Sequence, residues 1–137
     1  MNIAKLMIPK VCTVFLSESN TVRQGLEIMT HHGYTAVPVV DADAHYIGCV
    51  TEGDFLRFIL KYQTIDRREM ENHPISELVR RDFCPALTIS AGEDAVLDAM
   101  RRQNFVPIVD DRSCLCGILT RSRVIGHFIE QQRSFTA

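Results

Sequence analysis

The sequence predicts a mixed α/β (α+β) fold built from two similar halves, and three observations predict it. The segment Val37-Pro38-Val39-Val40-Asp41, followed by Gly48-Cys49-Val50-Thr51, returns as Val106-Pro107-Ile108-Val109-Asp110, followed by Gly117-Ile118-Leu119-Thr120, at a constant offset of 69 residues. Each copy is flanked on both sides by apolar residues at helical spacing. With 137 residues, 46% hydrophobic and 23% charged, the chain has the composition of one compact globular domain and lies far from the disordered class. A unit of about 60 residues buries only about 60% of its unfolded surface, so each half is expected to need its twin. The cleft that the twins share is then the place to look for function.

In the first half, Val22, Leu26, Ile28 and Met29 form a helical stripe that stops at Gly33, a natural terminator. Thr35 to Val40 reads as a strand, in which Pro38 removes one ladder donor and suits a strand start or edge. Asp41-Ala42-Asp43-Ala44 is the turn, Tyr46 to Val50 the second strand, and Glu52 to about Tyr62 the second helix. The second half repeats the plan with a helix from Asp94 to Gln103, strands from Phe105 to Val109 and Cys114 to Leu119, and a helix from Arg121 to Gln132. Val96 lies eleven residues before Pro107 whereas Val22 lies sixteen before Pro38, which predicts that the first helix of this half is shorter by roughly a turn with its exit loop.

The chain therefore divides into repeat 1 (1–62), a polar connector (63–74) that is partly helical, and repeat 2 (75–137). Ile75-Ser76-Glu77-Leu78-Val79 echoes Ile3-Ala4-Lys5-Leu6-Met7, so each repeat is expected to open with a short docking segment. Tyr34 and Phe105 read as core fillers, with base stacking as the alternative. Phe55, Phe58 and Phe128 are expected to bury against the other repeat or a second subunit. The tail Arg133-Ser134-Phe135-Thr136-Ala137 is expected to be too short to fold.

Several function classes are excluded by composition. A net charge of −2 and a pI near 6.2 give no broad basic field for nucleic acid or an anionic membrane. The N-terminus lacks a signal-peptide pattern and no apolar span of about 20 residues occurs, which predicts a cytoplasmic protein. Cys12, Cys49, Cys84, Cys114 and Cys116 lack C-x-x-C spacing, and the histidines are scattered, so free thiols, solvated or capping histidines and no metal are expected. No nucleophile–base pair or paired carboxylates can be assembled, so no enzyme activity is expected.

The informative spacing is Gly48-x-Val50-Thr51-x-x-Asp54 at a strand-to-helix junction. By itself Thr-x-x-Asp is a common helix cap. Its position adds a functional reading: the helix N-terminus offers free N–H groups and a positive dipole to a phosphate. An ionised Asp54 is acceptor-only and suits both hydroxyls of a ribose, while the Thr51 hydroxyl bonds a sugar or phosphate oxygen.

The two h-P-V-V-D-like plus G-h-h-T-x-x-[D] units, the second with Arg123 at the bracketed position, resemble a tandem pair of CBS domains, the module named after cystathionine β-synthase, over nearly the whole chain. The brevity of the chain is similar to small free-standing bacterial members. The resemblance implies two β-α-β-β-α units packed through their sheets with pseudo-two-fold symmetry, often as a homodimer. It implies adenosyl ligands (AMP, ADP or ATP, S-adenosylmethionine, NAD or cyclic di-AMP) that signal to an effector protein.

Carried across, Thr51 and Asp54 would hold ribose and phosphate while Ala86, Leu87, Val106 and Pro107 flank the adenine. The second site, from Thr120, Arg121 and Arg123 with Ala36, Val37 and Pro38, departs from the pattern, because Arg123 replaces the aspartate and has no acceptor for ribose hydroxyls. Either that site is dead, or Arg121 and Arg123 receive phosphates. A dimerisation module with decayed sites is the alternative reading of the whole.

Overall fold

The computed structural model describes residues 1–136; Ala137 lies outside the described residues. It contains two compact units, one formed by 14–83 and the other by 1–13 with 84–137. Each unit carries a β-α-β-β-α repeat. In the first, β2 (Leu16–Ser17), α2 (Val22–His32), β3 (Ala36–Val40), β4 (Tyr46–Thr51) and α3 (Glu52–Tyr62) build a sheet of order β2-β3-β4. In the second, β5 (Leu87–Thr88), α5 (Glu93–Arg102), β6 (Phe105–Val109), β7 (Leu115–Thr120) and α6 (Arg121–Thr136) join β1 (Ile8–Pro9) in a sheet of order β1-β7-β6-β5. Its additional edge strand β1 (Ile8–Pro9) follows the one-turn helix α1 (Ile3–Leu6). No helix among the described residues is long and apolar enough to cross a membrane.

Local chemistry explains most boundaries. Thr21 and Gln24 form a reciprocal capping box at the start of α2, and Gly33 ends it at φ 69°, the left-handed conformation that glycine adopts without steric cost. Pro38 sits in the middle strand of its sheet, not at an edge. The parallel neighbour β2, however, reaches only Val39 and Val40, so on that side β3 is unpaired at Pro38 and no ladder donor is missed. Pro107 in β6 is placed the same way, because β5 pairs only with Ile108 and Val109.

The turns are also twins. The Asp41 carboxylate accepts the Asp43 and His45 N–H groups, each at 2.9 Å, and Asp110 accepts those of Arg112 and Cys114, each at 2.9 Å. These bonds hold Ala44 and Ser113 in the left-handed region, at φ 68° and 66°.

The two docking segments each complete the sheet of the other repeat in sequence. Ile8 and Pro9 pair antiparallel with Ile118 and Gly117 of β7, and Ile3 is buried in the core of that unit. Arg80 exchanges both backbone hydrogen bonds with Cys49 of β4, at 3.0 and 3.3 Å, and Ile75 is fully buried in the first repeat's core. The connector contributes the short helix α4 (Arg67–Glu71), whose Met70 is buried against that same core and whose Glu71 pairs with Arg23 of α2 at 2.8 Å.

Four sequence expectations change. Helix α5 is not shortened by a turn: α2 spans eleven residues and α5 ten, because α5 begins at Glu93, three residues before Val96, whereas α2 begins at Val22 itself. Val22 and Val96 are both buried, but they do not occupy equivalent positions. Phe55 and Phe58 fill the core of their own unit, and Phe128 packs on that of its own. Tyr34 is 46% exposed and stacks on His32 instead of filling a core. The tail is helical, since α6 continues through Thr136.

Candidate functional site

Thr51 and Asp54 meet at the junction of β4 and α3, where the chain leaves an extended conformation and starts a helix. Asp54 is 5% exposed and is the one buried charged residue among those described. Its Oδ2 accepts the Thr51 N–H at 2.7 Å and the Thr51 hydroxyl at 3.0 Å, and the Thr51 Oγ1 in turn accepts the Asp54 N–H at 3.3 Å. This is a full capping box. The other carboxylate oxygen, Oδ1, accepts Arg57 Nη2 at 2.6 Å and lies 3.1 Å from Arg80 Nε. That last contact is an ion pair by distance only; Arg80 Nε is buried and not aligned for a hydrogen bond.

The carboxylate that the motif offers to two ribose hydroxyls is thus occupied by protein donors in this structure. A carboxylate has about four lone-pair directions. Three take hydrogen bonds, and a guanidinium faces the remaining one. The Thr51 hydroxyl is equally engaged, donating to Asp54 and accepting also from Arg80 Nη2 at 3.5 Å. Arg80 is held in turn by the ring of Phe83, 4.1 Å from its guanidinium carbon.

Asp54 also borders a cavity of about 160 Å³ lined by Arg57, Phe58, Lys61, Tyr62, Glu77 and Leu78. That volume is below the roughly 300 Å³ at which small-molecule sites begin, so this cavity is not a nucleotide pocket.

The remaining predicted residues are placed as follows. Val106 and Pro107 are fully buried in β6, and the Val106 side chain belongs to the core of its unit. Ala86 and Leu87 are half-buried at β5, with Leu87 paired to Ile108. Val37 and Pro38 are buried in β3, Val37 as a core side chain, and Ala36 is half-buried beside them.

At the second junction Thr120 Oγ1 accepts the Arg123 N–H at 3.3 Å and contacts Ser122 Oγ at 3.2 Å, so α6 has the threonine cap without the reciprocal half of the box. Arg123 is exposed. Arg121 donates through Nε to the Met100 carbonyl at 3.0 Å, near the C-terminus of α5, where a cation complements the helix dipole. That bond gives Arg121 a packing role within its own unit.

Among the described residues one group of three potential metal ligands lies close together, Asp41, Asp43 and His45. It is the turn already described. Burial works against the Asp41 charge, but hydrogen bonds from the His45 backbone and ring and from the Asp43 N–H hold its carboxyl below the usual carboxylate range.

Sequence reasoning missed Arg57 and Arg80. Arg57 carried a local signal, an opposite charge three residues after Asp54 on one helix face. Arg80 carried none, since it arrives from a segment 26 residues further on.

The CBS domain profile matches residues 3–61 and 75–130. Cyclic di-AMP receptor B of Bacillus subtilis (strain 168) is 23% identical over 132 residues, covering 96% of this chain and 89% of that protein. A crystal structure of CbpB in complex with c-di-AMP superposes with a TM-score of 0.90 at 20% identity, covering 99% of this chain and 89% of that one. The Listeria monocytogenes CbpB protein in complex with c-di-AMP gives a TM-score of 0.83 at 21% identity, covering 97% and 98%. At these identities the structural likeness establishes the fold, a tandem of two CBS repeats. With its profile matched over both halves, this chain belongs to the CBS domain family.

Proposed function

We propose that the protein is a regulatory module that binds an adenine nucleotide, without turning it over, and passes the bound state to an effector protein. Its preferred ligand in this reading is cyclic di-AMP, with AMP, ADP, ATP, NAD and S-adenosylmethionine as weaker competitors. The observation that carries the preference is the arginine pair at the start of α6. Where the first repeat has Asp54 the second has Arg123, with Arg121 two residues before it. Among the described residues neither arginine has a carboxylate partner.

A cyclic dinucleotide has no ribose with two adjacent free hydroxyls, so it needs no carboxylate clasp. It does carry two phosphodiester anions, which suit guanidinium donors at a helix N-terminus. The relatives whose structures hold c-di-AMP support the same ligand.

Thermal melts test this directly. Cyclic di-AMP at a hundredfold excess over its dissociation constant should add about 2.7 kcal/mol of stability, a rise of several degrees in melting temperature. Arg121→Ala with Arg123→Ala should weaken binding by roughly tenfold or more, the worth of charge-assisted hydrogen bonds. Equal affinities of wild type and double variant would contradict the phosphate role.

The same reading includes a homodimer. Leu56 and Leu60 on α3 are 57% and 66% exposed, and their counterparts at the repeat offset, Ile125 and Ile129 on α6, are 58% and 47% exposed. Two matching apolar stripes on one chain favour an isologous contact with a second copy. Sedimentation should find a dimer that Leu60→Glu with Ile129→Glu converts to monomer; a dimer that survives both changes refutes the stripe as the interface.

A further inference from the structure

Resting on the adenine-nucleotide reading above, we propose that Arg57 is a specificity-determining residue: it occupies the Asp54 carboxylate and sets the first repeat against nucleotides gripped through free ribose hydroxyls. Oδ2 of Asp54 is committed to the backbone and hydroxyl of Thr51, and releasing it would uncap α3. Only Oδ1 can change hands. Two cations face it, and they differ in mobility.

Arg80 is pinned by Phe83 and its Nε is buried, whereas the Arg57 side chain is 62% exposed and reaches Oδ1 from the next turn of the same helix. Arg57 is therefore the residue a ribose must displace. Displacement gives up a 2.6 Å hydrogen bond between two charged groups for one from a hydroxyl to the same carboxylate, and both bonds are charge-assisted, so the hydroxyl gains no net bond at Oδ1. A ligand without an adjacent pair of free hydroxyls gives up nothing at this carboxylate.

The second repeat has no such arrangement. At the repeat offset Asp54 corresponds to Arg123 and Arg57 to Gly126, so carboxylate and counter-ion are absent together. Neither junction then presents an acceptor to a ribose.

The test uses the full chain and titration calorimetry with AMP and 2′,3′-dideoxy-AMP, which differ only in the ribose hydroxyls, with cyclic di-AMP measured alongside. In wild type the AMP to dideoxy-AMP affinity ratio is expected near one. In Arg57→Ala it should rise roughly tenfold, one hydrogen bond to a charged group, and in Arg57→Ala with Asp54→Asn it should return towards one. A general loss of cationic charge would move both ligands alike and leave the ratio unchanged. A tenfold ratio already present in wild type, or a ratio near one or no AMP binding in Arg57→Ala, overturns the role of Arg57. Failure of wild type to bind cyclic di-AMP or any of the nucleotides would instead overturn the sensor reading, so the two failures are distinguishable.

Discussion

Asp54→Ala should lower stability by about 3 kcal/mol in the absence of any ligand, a fall of about 10 °C in melting temperature for a chain of this size. Loss of the reciprocal half of the capping box, the Thr51 N–H bond to Asp54 Oδ2, accounts for about 1 kcal/mol. The remainder comes from the other donors left behind: the Thr51 hydroxyl loses its acceptor, and Arg80 Nε stays buried with no opposing charge. The ion pairs themselves add little, because the Arg57 and Arg80 side chains are 62% and 41% exposed and water takes over much of their solvation. Asp54→Asn keeps an acceptor for the cap and should cost only about 1 kcal/mol. Circular dichroism melts would decide it, and an alanine variant as stable as wild type would show that the cap and the arginines contribute nothing. The functional consequence is that a loss of nucleotide binding in Asp54→Ala cannot be credited to a lost ligand contact until its folded fraction is known.

Gly48→Ala should be more damaging, at about 4 kcal/mol. Gly48 has φ 150°, a conformation side chains rarely adopt, and its absent Cβ would lie 2.5 Å from the Arg80 carbonyl oxygen and 2.9 Å from both the Arg80 carbonyl carbon and Val79 Cγ1. Backbone strain and overpacking each cost about 1–3 kcal/mol, and a backbone carbonyl cannot swing aside as a side chain does. Gly117 repeats the situation in the other sheet, where a Cβ would collide with the Ile8 carbonyl oxygen and lie 3.0 Å from Met7 Sδ. Both glycines are the places where a docking segment presses against the second strand of a repeat. Gly126→Ala is the control: a Cβ there meets nothing within 4 Å, and in a helix interior the change should be neutral or stabilising by up to about 1 kcal/mol. Denaturant unfolding of the three variants would measure the order, and a Gly48→Ala midpoint equal to that of Gly126→Ala would refute the close approach.

The elements were legible because their signals are local. Alternating and helical spacings, the Gly33 terminator and the Asp41 and Asp110 turns act within a few residues, and the doubling at offset 69 supplied a check on each reading. Misreadings arose where locality failed. Matching Val22 to Val96 assumed that two buried valines hold the same place on their helices, when α5 had simply started a turn earlier. Tyr34 has the chain neighbours of a core residue, yet its ring lies on His32 at the surface.

At the candidate site, the sequence alone determined the two strand-to-helix junctions, the threonine that caps each, and the contrast of Asp54 with Arg123. These follow from residue type and spacing along one chain segment. Tertiary structure alone decided which sheet each docking segment completes, that Arg80 returns to face Asp54, and that Arg121 turns to the Met100 carbonyl. The reason is physical: a carboxylate's partners are chosen by proximity in space, and donors from 26 residues away leave no periodic trace in the sequence.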